Sequence, residues 1–124
     1  MTAGSYGGVD FGKLFMSIDA MDMEGFLAPI APDAEFRLGS APVIHGHAGI
    51  QEAVGGFFTS IAGLSHEIKR VVEDGNTVVC EGEVTYTRHD GSTITLPFCN
   101  VFETDGDLIT LYRIYADITP LYAT

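Results

Sequence analysis

Asp117 ends the last alternating segment of the chain and is a candidate proton carrier. A carboxyl group at the mouth of an apolar cavity has a raised pKa, which suits a general base near neutral pH. Its alternative uses are an ion pair with Arg113 or Arg37, or a cap on the turn into Thr119-Pro120. Strand alternation puts Asp117 on the same face as Arg113, so the sequence favours these structural uses.

His45 is the second candidate proton carrier, because histidine changes its charge near neutral pH. His45 and His47 flank Gly46, and two histidines at i and i+2 of a strand can reach one metal ion. A third ligand would have to come from Glu52 or Asp33. The alternative is that His45 ends a strand and His47 begins a helix, both partly in solvent. Since this spacing alone is weak evidence, the sequence predicts no metal and no cofactor.

A group of polar and sulfur-bearing residues is predicted to share the inner face of a sheet: Cys80, Tyr86, Asn100 and Tyr112. A few convergent polar groups inside an apolar cavity orient a ligand. The alternative is that the same groups satisfy one another in an ordinary core. The sequence leaves both interpretations open.

Three helices are predicted to position these residues. The first covers about 9–20, because apolar residues recur there at i, i+3, i+4 and i+7: Phe11, Leu14, Phe15 and Ile18. Asp22 is expected to cap a short second helix, which Pro29 and Pro32 end. The third covers about 47–61, and its buried face is formed by Ile50, Ala53, Val54, Phe57, Phe58 and Ile61.

Strands follow the helical segments, which makes the fold class α+β. They are predicted at 33–38, 43–44, 65–73, 76–88, 92–103 and 107–118. Turn signals containing Gly75, Gly91 and Gly106 separate the last four into an antiparallel set. The 124 residues are predicted to form a single domain, 1–124.

The loop His89-Asp90-Gly91 decides the strand register. A two-residue turn would set Tyr86 opposite Thr95, whereas a three-residue loop sets it opposite Ile94. We favour the longer loop, because it keeps one face apolar. Cys80 then points inward and Cys99 outward, so both are expected to be free thiols. The same logic at the next turn predicts an inner face of Leu108, Thr110, Tyr112, Ile114 and Ala116.

The outer face and the charge predict the partners. An apolar patch on the outer face suggests a homodimer, and consists of Val79, Val101, Ile109 and Leu111. The net charge of −11 argues against nucleic acid and against an anionic membrane. The N-terminus lacks the basic start and apolar run of a signal peptide, so we expect a cytoplasmic protein.

Five short motifs, in this order, resemble the SnoaL-like family of the nuclear-transport-factor-2-like superfamily. They are Ala31-Pro-Asp-Ala-Glu-Phe36, Val43-Ile-His-Gly-His-Ala-Gly-Ile50, Asp90-Gly91 before Leu96-Pro-Phe98, Asp105-Gly106 before Leu108-Ile109, and Arg113-Ile-Tyr-Ala-Asp117. The resemblance implies a cystatin-like cone, with three N-terminal helices packed on a curved antiparallel or mixed sheet. It also implies an apolar pocket and frequent homodimers.

The family's acidic positions are occupied differently in this chain. Ketosteroid-isomerase-like members carry a carboxylate base on the strand before a Gly-Ser-x-Pro-like segment, where this chain has Phe36 and Arg37. Epoxide-hydrolase-like and polyketide-cyclase-like members carry an inward aspartate on the last strand, at the position of Ile114. Asn100 falls near a polar or acidic group of the adjacent strand in those families.

The sequence therefore predicts a pocket for a small hydrophobic molecule. The expected activity is that of a cofactor-free lyase, isomerase or hydrolase acting by proton transfer, with Asp117 or His45 as the proton carrier. The predicted substrate-binding residues are Phe15, Phe36, Phe58, Tyr86, Phe98, Asn100, Tyr112 and Ile114. The alternatives are a non-catalytic carrier or sensor of a small molecule and a dimerising interaction module.

Overall fold

A computed structural model describes residues 3–123, which form three α-helices and a six-stranded sheet. The helices are α1 (Phe11–Asp19), α2 (Met23–Leu27) and α3 (His47–Thr59). A small N-terminal hairpin consists of β1 (Ser5–Tyr6) and β2 (Val9–Asp10). The large sheet consists of β3 (Ile30–Leu38), β4 (Ile44–His45), β5 (Gly63–Asp74), β6 (Thr77–Thr87), β7 (Thr93–Asp105) and β8 (Leu108–Tyr115).

The large sheet has the strand order β4-β3-β8-β7-β6-β5. Strand β8 pairs in parallel with β3, and the other neighbours are antiparallel. The predicted α+β class is therefore confirmed, with a mixed sheet. Two strands stand between α2 and α3, so the third helix is not contiguous with the first two. A 3₁₀ turn at Thr119–Tyr122 and the β1–β2 hairpin were not predicted.

Aspartates cap the two helices that begin the fold. The carboxylate of Asp10 accepts a hydrogen bond from the backbone N–H of Lys13 at 3.0 Å, and this caps α1. The carboxylate of Asp22 accepts one from Gly25 at 3.1 Å, so the predicted cap of α2 is confirmed. Between these helices Met21 has a φ of 54°, and this left-handed turn brings α2 back across α1.

The β6–β7 hairpin has the predicted register. Tyr86 lies opposite Ile94 and Cys80 lies opposite Asn100, and Gly91 has a φ of 88°. Cys80 is buried, Cys99 is half-buried and both are free, as predicted. The three-residue loop is preferred because it keeps the apolar residues of both strands on the face that packs against the helices.

The β7–β8 pair departs from the predicted register. A β-bulge between Glu103 and Thr104 sets Ile109 opposite Thr104, and Ile109 is fully buried. The prediction that Ile109 lies on the outer patch is therefore wrong. Thr110 takes the extra position of the bulge, so its predicted place on the inner face is also wrong. From Tyr112 onward the predicted alternation is correct.

A second bulge bends β5 where it crosses β6. Lys69 is the extra residue, between Ile68 opposite Gly82 and Arg70 opposite Glu81. A Cβ atom on Gly82 would lie 1.9 Å from the Glu67 carbonyl oxygen. Glycine is therefore required for this close approach of the two strands.

Within residues 3–123, no helix is long and apolar enough to cross a membrane.

Candidate functional site

A cavity of about 160 Å³ lies between the helices and the inner face of the sheet. Its lining is mostly apolar and includes residues from all three helices. Seven of the eight predicted substrate-binding residues line it: Phe36, Phe58, Tyr86, Phe98, Asn100, Tyr112 and Ile114. The strand register brings these residues together, because it turns the same face of β6, β7 and β8 toward the helices.

Phe15, the eighth predicted binding residue, does not line the cavity. It is only 4% exposed and lies in the core beside the cavity wall. Its ring centroid is 5.0 Å from that of His66 and 6.1 Å from that of Phe98. Phe15 therefore supports two lining residues from behind, and does not offer a surface to a ligand.

Asp117 lies outside the cavity lining and is exposed. Its carboxylate accepts a hydrogen bond from the backbone N–H of Thr119 at 3.0 Å, which is the turn cap weighed above. The Thr119 hydrogen bonds hold the pKa of Asp117 below its usual value, opposite to what a base needs. Arg113 pairs with Glu35 instead, at 2.7 Å.

His45 and His47 also lie outside the lining. The His45 side chain is 67% exposed and its Nε2 is 3.9 Å from a Glu35 oxygen. His47 Nε2 donates to the Ile30 carbonyl oxygen at 2.6 Å, since a carbonyl oxygen can only accept. The two histidines thus have separate partners. In the described part of the chain, no group of three histidine, cysteine or acidic side chains is placed to hold a metal ion.

The histidine in the described cavity lining is His66, near the start of β5. Its Nδ1 donates to one carboxylate oxygen of Asp19 at 2.6 Å. The other carboxylate oxygen accepts the His66 backbone N–H at 3.0 Å. Two hydrogen bonds donated by His66 to one carboxylate therefore fix both its backbone and its ring, and they join the last residue of α1 to β5.

This arrangement determines the tautomer of the neutral imidazole. An ionised carboxylate only accepts, so Nδ1 carries the hydrogen and Nε2 keeps its lone pair. The rings of Phe15 and Phe98 flank the imidazole, with centroids 5.0 and 5.2 Å away. The side chain of His66 is 11% exposed and that of Asp19 is 27% exposed. Nε2 is consequently the ring nitrogen left for a ligand.

Sequence reasoning missed His66, although a signal was present. His66 stands between Leu64 and Ile68, so strand alternation places it on their apolar face. A titratable group on an apolar face is a candidate site residue. No comparable signal pointed to Asp19, because it is 47 positions away and meets His66 only through packing of α1 on β5.

Three further polar groups line the cavity. Burial raises the pKa of the Tyr86 hydroxyl to about 12, and it also raises the pKa of Tyr112. Both phenols therefore remain protonated and can donate hydrogen bonds. The third group is Asn100, which is 2% exposed and belongs to the centre of β7.

The model of the SnoaL-like domain family matches residues 12–112. The chain belongs to the SnoaL-like family. It is therefore also a member of the nuclear-transport-factor-2-like superfamily, as the sequence predicted. A comparison with curated proteins found no match.

Solved structures show the same fold as this SnoaL-like protein. TerC, co-crystallised with polyporic acid, is 25% identical with a TM-score of 0.78, covering 89% of this chain and 90% of TerC. An NTF2-like protein of unknown function from Burkholderia pseudomallei is 21% identical, with a TM-score of 0.80 and 88% of each chain covered. An LEH-like epoxide hydrolase of M. tuberculosis is 22% identical, with a TM-score of 0.73, covering 86% of this chain and 78% of the other.

The site of this SnoaL-like protein combines one proton carrier with neutral hydrogen-bonding groups. No Asp, Glu, Lys or Arg side chain is part of the described cavity lining. His66 can accept or return a proton, and the phenols of Tyr86 and Tyr112 can donate to an oxygen atom. The arrangement can therefore move a proton on a neutral molecule.

Proposed function

We propose that this SnoaL-like protein binds a small hydrophobic molecule in its cavity and catalyses proton transfer on it without a cofactor. The His66–Asp19 pair carries the proposal, because it supplies an oriented base at the wall of an otherwise uncharged, apolar cavity. His66 takes the role that the sequence assigned to Asp117 or His45, neither of which lines the cavity.

The proposed step begins with a carbon acid, a C–H bond next to a carbonyl group. Nε2 of His66 takes the proton, and the electron pair of the C–H bond moves onto the carbonyl oxygen. Tyr112 and Tyr86 are the phenols available to donate hydrogen bonds to that developing oxyanion. Asp19 stabilises the imidazolium, which then returns the proton to carbon or to a leaving group. Isomerases and lyases share this first step, whereas a hydrolase would use the same base to take a proton from water.

Two of the structural relatives support a small-molecule ligand. TerC was crystallised with polyporic acid, and another relative is an epoxide hydrolase. The size and apolar lining of the cavity are of the kind that binds small organic molecules.

Hydrogen–deuterium exchange of 2-tetralone tests the proposal. This bicyclic ketone has acidic protons beside its carbonyl group, and their loss in heavy water can be followed by NMR. We expect the protein to accelerate exchange, and His66→Gln to lower the acceleration about 100-fold or more, because glutamine cannot accept the proton. Exchange no faster than in buffer, or unchanged in His66→Gln, would contradict proton transfer.

A non-catalytic carrier is the second candidate function. It is favoured by the absence of acids at Phe36 and Ile114, which both line the cavity. An NMR titration with 2-naphthol separates the two candidates. Binding of 2-naphthol without exchange of 2-tetralone would support the carrier, whereas both results together support the enzyme.

We also propose a homodimer formed through the outer face of the sheet. Val79 lies opposite Val101 there, and Val72, which pairs with Val79, is 49% exposed. Leu111 is half-buried on the same face. Light scattering should give twice the chain mass, and Val101→Glu should reduce it to the monomer mass; a monomeric native protein would contradict the dimer.

The free thiols Cys80 and Cys99 favour a reducing compartment such as the cytoplasm.

A further inference from the structure

One buried oxygen atom in the cavity wall has no hydrogen-bond partner. Within residues 3–123, Oδ1 of Asn100 is the buried side-chain oxygen or nitrogen that no donor reaches. The residues paired with Asn100 across the sheet are Cys80 on β6 and Ile114 on β8. Burial raises the pKa of the Cys80 thiol to about 12, so it stays a thiol, which is a weak donor.

An unpaired acceptor in this position destabilises the folded protein. Burying an amide oxygen without a donor loses its hydrogen bonds to water, and an apolar side chain of the same shape avoids that loss. Leucine has nearly the shape of asparagine and would suit the surrounding apolar wall. The terminal torsion of an asparagine is soft and roughly two-fold, so rotation about it can turn Oδ1 toward a ligand in the cavity.

We propose that Asn100 selects the ligand by accepting a hydrogen bond from a hydroxyl group on it. The described cavity lining contains no Asp, Glu, Lys or Arg side chain to balance a ligand charge, so the selected class is neutral hydroxylated molecules with an apolar ring system. This assignment rests on the proposed use of the cavity as a ligand site, and it does not depend on proton transfer by His66.

The pair 2-naphthol and 2-methylnaphthalene tests the selection in the native protein. The two molecules have almost the same shape, but only 2-naphthol donates a hydrogen bond. A purely apolar cavity would prefer 2-methylnaphthalene, which is more hydrophobic. We expect the opposite order in NMR titrations, with 2-naphthol bound roughly 5- to 100-fold more tightly. Equal or weaker binding of 2-naphthol, or no binding of either, overturns the assignment.

The variant Asn100→Leu tests which residue makes the selection. It should lose most of the preference for 2-naphthol, whereas Ile68→Leu, a change in shape at a buried position of β5 outside the cavity lining, should keep it. If Asn100→Leu does not fold, Asn100→Ala serves the same comparison. A preference that survives in the Asn100 variants means that water or another group is the partner, and it overturns the assignment.

The thermal midpoint of unfolding provides a readout that needs no ligand. Removing an unpaired acceptor should raise the midpoint of Asn100→Leu by roughly 3–8 °C. The matched control is Thr104→Val, which removes a buried hydroxyl whose partner is the Asn76 carbonyl oxygen at 3.4 Å. We expect no such rise in the control. A lower midpoint for Asn100→Leu would show that the amide is satisfied within the folded protein, and would overturn the assignment.

The two proposals fail separately. Loss of the naphthol preference in Asn100→Leu, together with no exchange of 2-tetralone, leaves the Asn100 assignment standing and removes proton transfer. Exchange of 2-tetralone that depends on His66, without any preference for 2-naphthol, leaves proton transfer standing and removes the Asn100 assignment.

Discussion

Two side-chain hydrogen bonds of equal length, on opposite sides of the sheet, have different surroundings. Lys69 and Glu83 on the outer face are 2.6 Å apart, with side chains 50% and 39% exposed. His66 and Asp19 are also 2.6 Å apart, with side chains 11% and 27% exposed. Water and salt weaken the outer pair, whereas the imidazole of the inner pair is flanked by aromatic rings. Exclusion of water, and not contact distance, therefore distinguishes a candidate catalytic group.

Asp117 and His45, called here the rim residues, each follow a cavity-lining residue in the chain, but both are exposed to water. Asp117 caps its own turn, and His45 stands in solvent near Glu35. Their residue types suit proton transfer, but their partners are local and their surroundings are wet. His66 is held by a residue distant in the chain and faces the apolar cavity.

The largest expected effect compares the inner histidine with the rim residues. His66→Gln and the double variant Asp117→Asn/His45→Gln should be assayed side by side for 2-tetralone exchange. We expect the single variant to lose about 100-fold or more, and the double variant to stay close to the native rate. The reverse result would restore Asp117 or His45 as the proton carrier.

The second effect concerns the hydrogen bond by which Asp19 orients His66. Asp19→Asn should lower the exchange rate about 10- to 100-fold, because an amide does not hold the imidazole tautomer or stabilise the imidazolium. Nitrogen NMR of His66 should show the hydrogen on Nδ1 in the native protein and a changed tautomer in the variant. An unchanged tautomer and rate would mean that Asp19 only packs against β5.

The third effect concerns the backbone that presents the inner face. Gly82→Ala should lower the free energy of unfolding by about 3 kcal/mol, because its Cβ would meet the Glu67 carbonyl. Gly56→Ala is the matched control, since nothing lies within 4 Å of a Cβ at this exposed position of α3. It should be stabilised by about 0.5–1 kcal/mol. Denaturant unfolding measures both, and similar values for the two variants would contradict the close approach of β5 and β6.

The smallest effect is a pH dependence that separates the two cysteines. Burial raises the pKa of Cys80 from 9.0 to about 12, so the unfolded chain releases this thiol proton first. Stability is therefore unaffected by Cys80 below pH 9 and falls as pH rises from 9 toward 12. Cys80→Ala should reduce this loss, most clearly before Tyr86 adds a loss of the same sign. Cys99→Ala should change the curve less, because the outer thiol is half-buried. Thermal unfolding across this range measures the difference, and identical curves for the two variants would contradict it.

Much of the fold could be predicted because strand alternation and turn chemistry act over short distances. The three-residue loop at Gly91 predicted the β6–β7 register, and that register predicted that Tyr86 and Asn100 point inward. The same reasoning was wrong at Ile109, because a bulge depends on how two strands fit and leaves no local pattern. A bulge next to Gly82 was likewise not predicted, although the glycine that permits it is visible in the sequence.

By itself, the sequence determined the α+β class, the order of the main elements, the capping aspartate of α2 and seven of the residues that line the cavity. These features follow from periodicity, caps and turns, which depend on residues close together in the chain. Only the tertiary structure decided that Asp19 holds His66, that Asp117 and His45 stand outside the cavity, and that Oδ1 of Asn100 has no partner. Each of these depends on which distant side chains meet once water is excluded, and no local pattern encodes such a meeting.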